Sequence, residues 1–194
     1  MEESESGRTF MMVLTAVNAS LYTVVGCLTY LGVVVFGVRF WPAVVVPAVF
    51  SVLFGPRVGG VGAAIGIFIC DMLSHGMPLL SLSVGVTSNF TAFYILGYMT
   101  REYSLKRYVV AATLSLLVGS AIIGVGVWAW SQFYLLPGAA DVSPMPMVAA
   151  WSTFAWTFIS EIPFLLILVP PIVEAARKTI PALREDEKLV SFKR

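Results

Sequence analysis

Glu161 is the residue with the clearest chemical consequence. It lies inside a long apolar run, where a carboxylate costs roughly 2.5 kcal/mol or more and so must face protein or water. Its position supports a ligand or proton contact, or a hydrogen bond to a neighbouring helix beside the kink expected at Pro163. Asn89, in SVGVTSNFTAFY, donates and accepts at once, which suits either the edge of a heterocycle or a bond between helices. Thr87, Ser88 and Thr91 accompany it, and Tyr94 follows about one turn on. Asp71 and His75 are four apart and meet if a helix continues through both. They lack a third metal ligand and a nucleophile motif, so Asp71 either ends its helix and pins the next loop or contributes to a pocket. Trp128, Trp151 and Trp156, like Trp130, sit where an interfacial aromatic belt would lie, and they also suit stacking on a flat ligand.

Those residues sit in a chain built for a bilayer. Of its 194 residues 58% are hydrophobic and 12% charged, with a mean hydropathy of +0.88. Soluble domains carry about 25% charged residues, so the composition specifies an all-α integral membrane protein. A formal charge of +1 excludes an electrostatic nucleic-acid binder. Cys27 and Cys70 lie in apolar runs and read as small buried hydrophobes. The acidic start, MEESES, is unlike a cleavable signal peptide. Asn18 and Asn89 match glycosylation sequons but fall within spans.

With about 20 residues per crossing, the apolar runs predict six transmembrane helices at residues 10–36, 42–54, 58–72, 80–99, 108–135 and 147–172. They form one membrane domain over residues 1–176, followed by a charged cytoplasmic tail at 177–194. PGAADVSPMP separates the last two spans as a loop. The second and third spans are short and interrupted by Pro42, Pro47 and the FGPRVGG turn, the pattern that marks binding sites in transporters. Placing the N-terminus in the cytoplasm puts Arg8, Arg57, Arg101, Lys106, Arg107, Arg177, Lys178, Arg184, Lys188, Lys193 and Arg194 inside. Only Arg39 of the 12 basic residues is then outside. This bias sets both termini in the cytoplasm. It gathers Arg39, Trp41, Asp71, His75 and the tryptophans in the outer half, with Asn89 and Glu161 deeper.

The first helix carries small residues on one side: Ala16, Ala19, Ser20, Thr23 and Gly26. Such a face admits a close neighbour, either within the chain or in a partner subunit. Gly62 and Gly66 make a similar patch on the third, read as internal.

The stretch RFWPAVVVPAVFSVLFGPRVGGVGAAIGIFICD and the following PLLSLSVGVTSN, set in six helices, resemble the substrate-binding S-components of energy-coupling factor (ECF) transporters. The likeness spans nearly the whole chain in layout and is specific over residues 39–97. It implies a plasma-membrane protein that captures a vitamin or related micronutrient from outside. The ligand would lie in the outer half, under the first outer loop. Residues Asn89, Glu161, Arg39, Trp41, Asp71, His75, Thr87, Tyr94, Trp128, Trp151 and Trp156 would be the candidates to contact it. The resemblance also implies docking through Ala16, Ala19 and Ser20 on a transmembrane coupling subunit driven by two ATPases; Ser20 departs from the usual pair of alanines four apart. The chain has no Gly-rich phosphate loop, so it carries no cofactor of its own and ATP belongs to the partners. Two other readings stand beside this one. One is a carrier or scaffold working without ATPases; the other is a membrane-embedded enzyme using Glu161 as acid or base, with no catalytic motif to support it. Riboflavin, thiamine-like and pterin-like ligands all remain open.

Overall fold

The computed structural model describes residues 2–29, 32–35 and 38–180; its regular structure is helical apart from one short hairpin, and a loop over residues 132–146 joins the last two helices. The elements are α1 (Glu2–Thr29), β1 (Val34–Val35), β2 (Val38–Arg39), a 3-10 turn (Pro42–Val44), α2 (Val45–Phe54), α3 (Pro56–Ser74), α4 (Pro78–Met99), α5 (Leu105–Ser131) and α6 (Met147–Thr179). The predicted tail falls largely at 181–194, outside the described residues; α6 itself runs through Thr179.

Among the described residues five helices are long and apolar enough to cross a membrane: those ending at Thr29, Ser74, Met99, Ser131 and Thr179. Pro42–Phe54 is apolar but shorter. At 1.5 Å per residue it reaches about 20 Å, against a hydrocarbon core of about 30 Å. It survives because it is enclosed by its own chain: α2 packs on α1, α3, α4 and α6. Backbone ends at membrane depth are tolerated only in such surroundings. Gly55, at φ 92°, makes the sharp turn between α2 and α3, a conformation that a side chain would oppose.

The first predicted helix does not reach residue 36. It stops at Thr29, and Val34–Val35 pairs antiparallel with Val38–Arg39, Val34 opposite Arg39. Gly32 turns the chain at φ 71°, and the β-branched run after it favours extended backbone. Phe40 N–H closes the hairpin by donating to Val33 C=O at 2.9 Å. The helix from Pro78 to Met99 is also not uniform, since Ser81–Val86 is a π-helical segment, a wide turn common near functional sites.

Close packing of α1 on α3 organises the bundle. A Cβ on Gly62 would strike the Asn18 side chain, and one on Gly66 would lie 2.8 Å from Tyr22 Cδ1 and 2.9 Å from Ala19 O. Asn18, fully buried, donates from Nδ2 to Val58 O at 2.9 Å, clamping the two helices. Gly62 and Gly66 are therefore internal. Ala19 is internal too, at 4% exposed, which corrects its place in the expected docking patch: only Ala16 and Ser20 of that trio face outward.

Candidate functional site

A cavity of about 280 Å³ opens among α3, α4, α5 and α6 at the end of the bundle that carries the hairpin. The hairpin contributes Val34, Val38 and Arg39; α3 contributes Asp71, Ser74 and His75 from its last turn. Gly85, Ser88 and Asn89 come from the π segment and the turn after it. Gly119 and Ser120 from α5, with Thr157 and Glu161 from α6, complete the polar part of the wall. Ile67, Phe93, Leu116, Ile123 and Val127 make the rest apolar.

At the mouth, charge is satisfied internally. Arg39 forms an ion pair from Nη2 to Asp71 Oδ1 and donates from Nη1 to Ser74 Oγ at 2.6 Å. Its guanidinium also lies 4.5 Å from the centre of the Trp41 ring, a cation–π contact. Asp71 takes a second hydrogen bond on Oδ2 from Ser81 Oγ at 2.7 Å, and His75 Nε2 lies 3.6 Å from its Oδ1. Asp71 thus lies within its helix, which continues to Ser74, and holds the hairpin against α4.

Deeper in, a relay fixes Asn89. Trp41 Nε1–H donates to Tyr22 Oη at 2.8 Å, and Tyr22 O–H donates to Asn89 Oδ1 at 2.6 Å. Asn89 Nδ2 donates back to Gly85 O at 2.9 Å. Tyr22 is fully buried and packs edge-on against Trp41 and Phe93. Across the cavity Glu161, 7% exposed, has no hydrogen-bond or ion-pair partner among the described residues. Ser120 Oγ is buried and equally without a partner. Thr157, one turn before Glu161, donates its hydroxyl to Thr153 O at 2.9 Å, leaving oxygen lone pairs available. Among the described residues no three His, Cys, Asp or Glu side chains gather as metal ligands would.

Of the residues singled out from sequence, Arg39, Trp41, Asp71, His75, Ser88, Asn89 and Glu161 surround this cavity. The others do not. Thr87 is exposed, with its hydroxyl turned to the backbone at Val84 and Ser83. Tyr94 stacks on Phe90 at 5.5 Å. Trp151 is 66% exposed and points away from the bundle. Trp128 and Trp156 are half-buried neighbours of the wall residues Val127 and Thr157, but a helix turns by about 100° per residue and directs them elsewhere. Tyr22, Ser120 and Thr157 were not anticipated. Tyr22 carried a signal, as a phenol in the small-residue face of α1; the two hydroxyls carried none beyond being polar in apolar spans.

Comparison with curated proteins and with solved structures gives no match. The family model described as "ECF transporter, substrate-specific component" matches residues 10–173, from α1 through almost all of α6 and including every wall of the cavity. The chain, a multi-pass membrane protein with a small-molecule-sized hollow between its helices, belongs to the substrate-specific components of ECF transporters.

Proposed function

We propose that this chain is the substrate-capture subunit of an ECF-type importer, binding a vitamin or related water-soluble micronutrient in the cavity between Asn89 and Glu161. One observation carries the reading. The two costly polar groups of the membrane interior border one hollow, and the hairpin bearing Arg39 forms its outer wall. A hollow of about 280 Å³ is near the lower end of ordinary ligand pockets, roughly 300–1,000 Å³, and suits a compact ligand. In this reading Pro42–Phe54 is the sixth crossing, both termini are cytoplasmic, and the cavity faces the exterior of the cell membrane. The subunit itself catalyses nothing. It delivers its ligand by reorienting against a transmembrane coupling subunit driven by two ATPases, with Ala16 and Ser20 available on the outer face of α1.

Native mass spectrometry and calorimetry on the protein purified from its own membrane test the capture step. A bound or bindable micronutrient of stoichiometry one supports it; an empty protein that binds none refutes it. Tagged chain that retains ATPase subunits on purification supports the coupling step, and a chain that accumulates the ligand in cells lacking them favours a stand-alone carrier.

A further inference from the structure

Which charge the ligand carries follows from which groups of the cavity are already engaged. Arg39 and Asp71 neutralise one another at the mouth, and Ser74, Ser81 and the Trp41 ring complete their contacts. Asn89 is committed on both sides, its carbonyl to Tyr22 and its amide to Gly85. The deep end is different. Glu161, 93% buried by its 7% exposure, presents its carboxylate to the hollow without any protein donor among the described residues. Ser120, fully buried and without a hydrogen-bond partner among the described residues, lines the same cavity, and Thr157 offers oxygen lone pairs. Among the described residues no lysine or arginine other than Arg39 lines the cavity, and His75 stands at the mouth beside Asp71.

A buried carboxylate with nothing opposite it is an expensive arrangement. Here it is completed by whatever enters. An anionic ligand would meet it with repulsion, whereas a cation both donates to the carboxylate and holds it in its charged form. We propose that the ligand carries a positively charged nitrogen, an amine, an amidine-like group or a quaternised heterocycle, which docks on Glu161 with Ser120 as second contact. Its flat or apolar body lies against Phe93, Ile67 and Leu116. This inference rests on the capture reading above and narrows it from micronutrients in general to organic cations. Arg39, a guanidinium that would otherwise attract an anion, is withdrawn from recognition by its pairing with Asp71.

The test begins with the molecule released from protein purified from its native membrane, identified by mass and by electrophoretic mobility at pH 7. It continues with titrations by intrinsic fluorescence using three probes of one shape and three charges: benzamidine, benzamide and benzoate. Removing one member of a buried charge pair weakens binding on the order of 100-fold. The released molecule is expected to be cationic, benzamidine to bind at least about tenfold better than benzamide, and Glu161→Gln to lose the preference. Glu161→Asp, which keeps the charge, should retain part of it, and unchanged elution and melting of both variants shows that they fold. A released molecule that is neutral or anionic overturns the inference and leaves the capture reading standing. So does a cation that Glu161→Gln binds as well as the native chain. If nothing is released and neither the probes nor any micronutrient binds in calorimetry, the capture reading fails and the inference falls with it.

Discussion

Replacing Asp71 with asparagine is expected to free the outer hairpin. Asp71 joins the hairpin, through Arg39, to the last turn of α3 and, through Ser81, to the first turns of α4, while Ser74 gives Arg39 a second, neutral contact on α3. Exposed ion pairs contribute about 0.2–1 kcal/mol, whereas removing one partner of a fully buried pair costs about 3–5 kcal/mol. The side chains of Arg39 and Asp71 are 16% and 7% exposed, which places this pair between those limits, at about 2 kcal/mol. The Asp71→Asn chain loses that attraction but can keep the contact with Ser81, so the effect concentrates on the hairpin. A loss of about 2 kcal/mol raises local opening about 30-fold. The amide of Phe40, bonded to Val33 O at 2.9 Å, reports this opening directly by hydrogen exchange. Arg39→Gln should give a similar acceleration, and the double variant little more than either, with a coupling of about 1–2 kcal/mol. Exchange at Phe40 within twofold of the native rate in Asp71→Asn, with the fold intact, would refute the claim that this pair holds the hairpin shut.

Tyr22→Phe removes the hydroxyl between Trp41 Nε1 and Asn89 Oδ1 and leaves a buried indole N–H and a half-buried amide oxygen unpaired; a stability loss of about 2 kcal/mol is expected, read as a lower melting temperature. In Gly97→Ala the new Cβ would sit 2.7 Å from Pro56 N and Cα, atoms that cannot yield because they begin α3; overpacking of about 1–3 kcal/mol should lower the melting temperature by several degrees. Ligand affinity should fall about tenfold or more in Trp41→Ala, whose indole forms part of the cavity wall, as an anchor in a desolvated pocket does. Trp151→Ala, at a side chain 66% exposed, should leave it unchanged by calorimetry.

The long helices were legible because sustained apolar runs have few other solutions in a bilayer. The hairpin was not. Val33, Val34 and Val35 are as hydrophobic as any helical residue, and hydropathy alone cannot separate a span's last turn from a strand. The breaks at Gly32 and Gly55 were visible as residue types, but only at Gly55, with Pro56 following, was the turn read. Around the cavity, polar residues whose burial demands a partner were the readable ones: Glu161, Asn89 and Asp71. What they pair with was not, since Arg39 and Asp71 lie 32 residues apart and meet only through the fold. The tryptophans failed for a geometric reason. Val127 and Thr157 face the hollow while Trp128 and Trp156 beside them do not, and nothing in a span apolar all round marks which side faces inward.

The π segment at Ser81–Val86 has a consequence for how the two levels of the cavity stay in phase. Its upstream end holds Ser81 against Asp71, and just past its downstream end Asn89 answers Tyr22. A regular α-helix of the same length would rotate one of these side chains away from its partner, because the wide turn accommodates an extra residue between them. The segment therefore works as a spacer that lets entrance and floor be tuned separately. Deleting Leu82 or Ser83, neither of which lines the cavity, would preserve every side chain of the wall and still leave entrance and floor facing different directions.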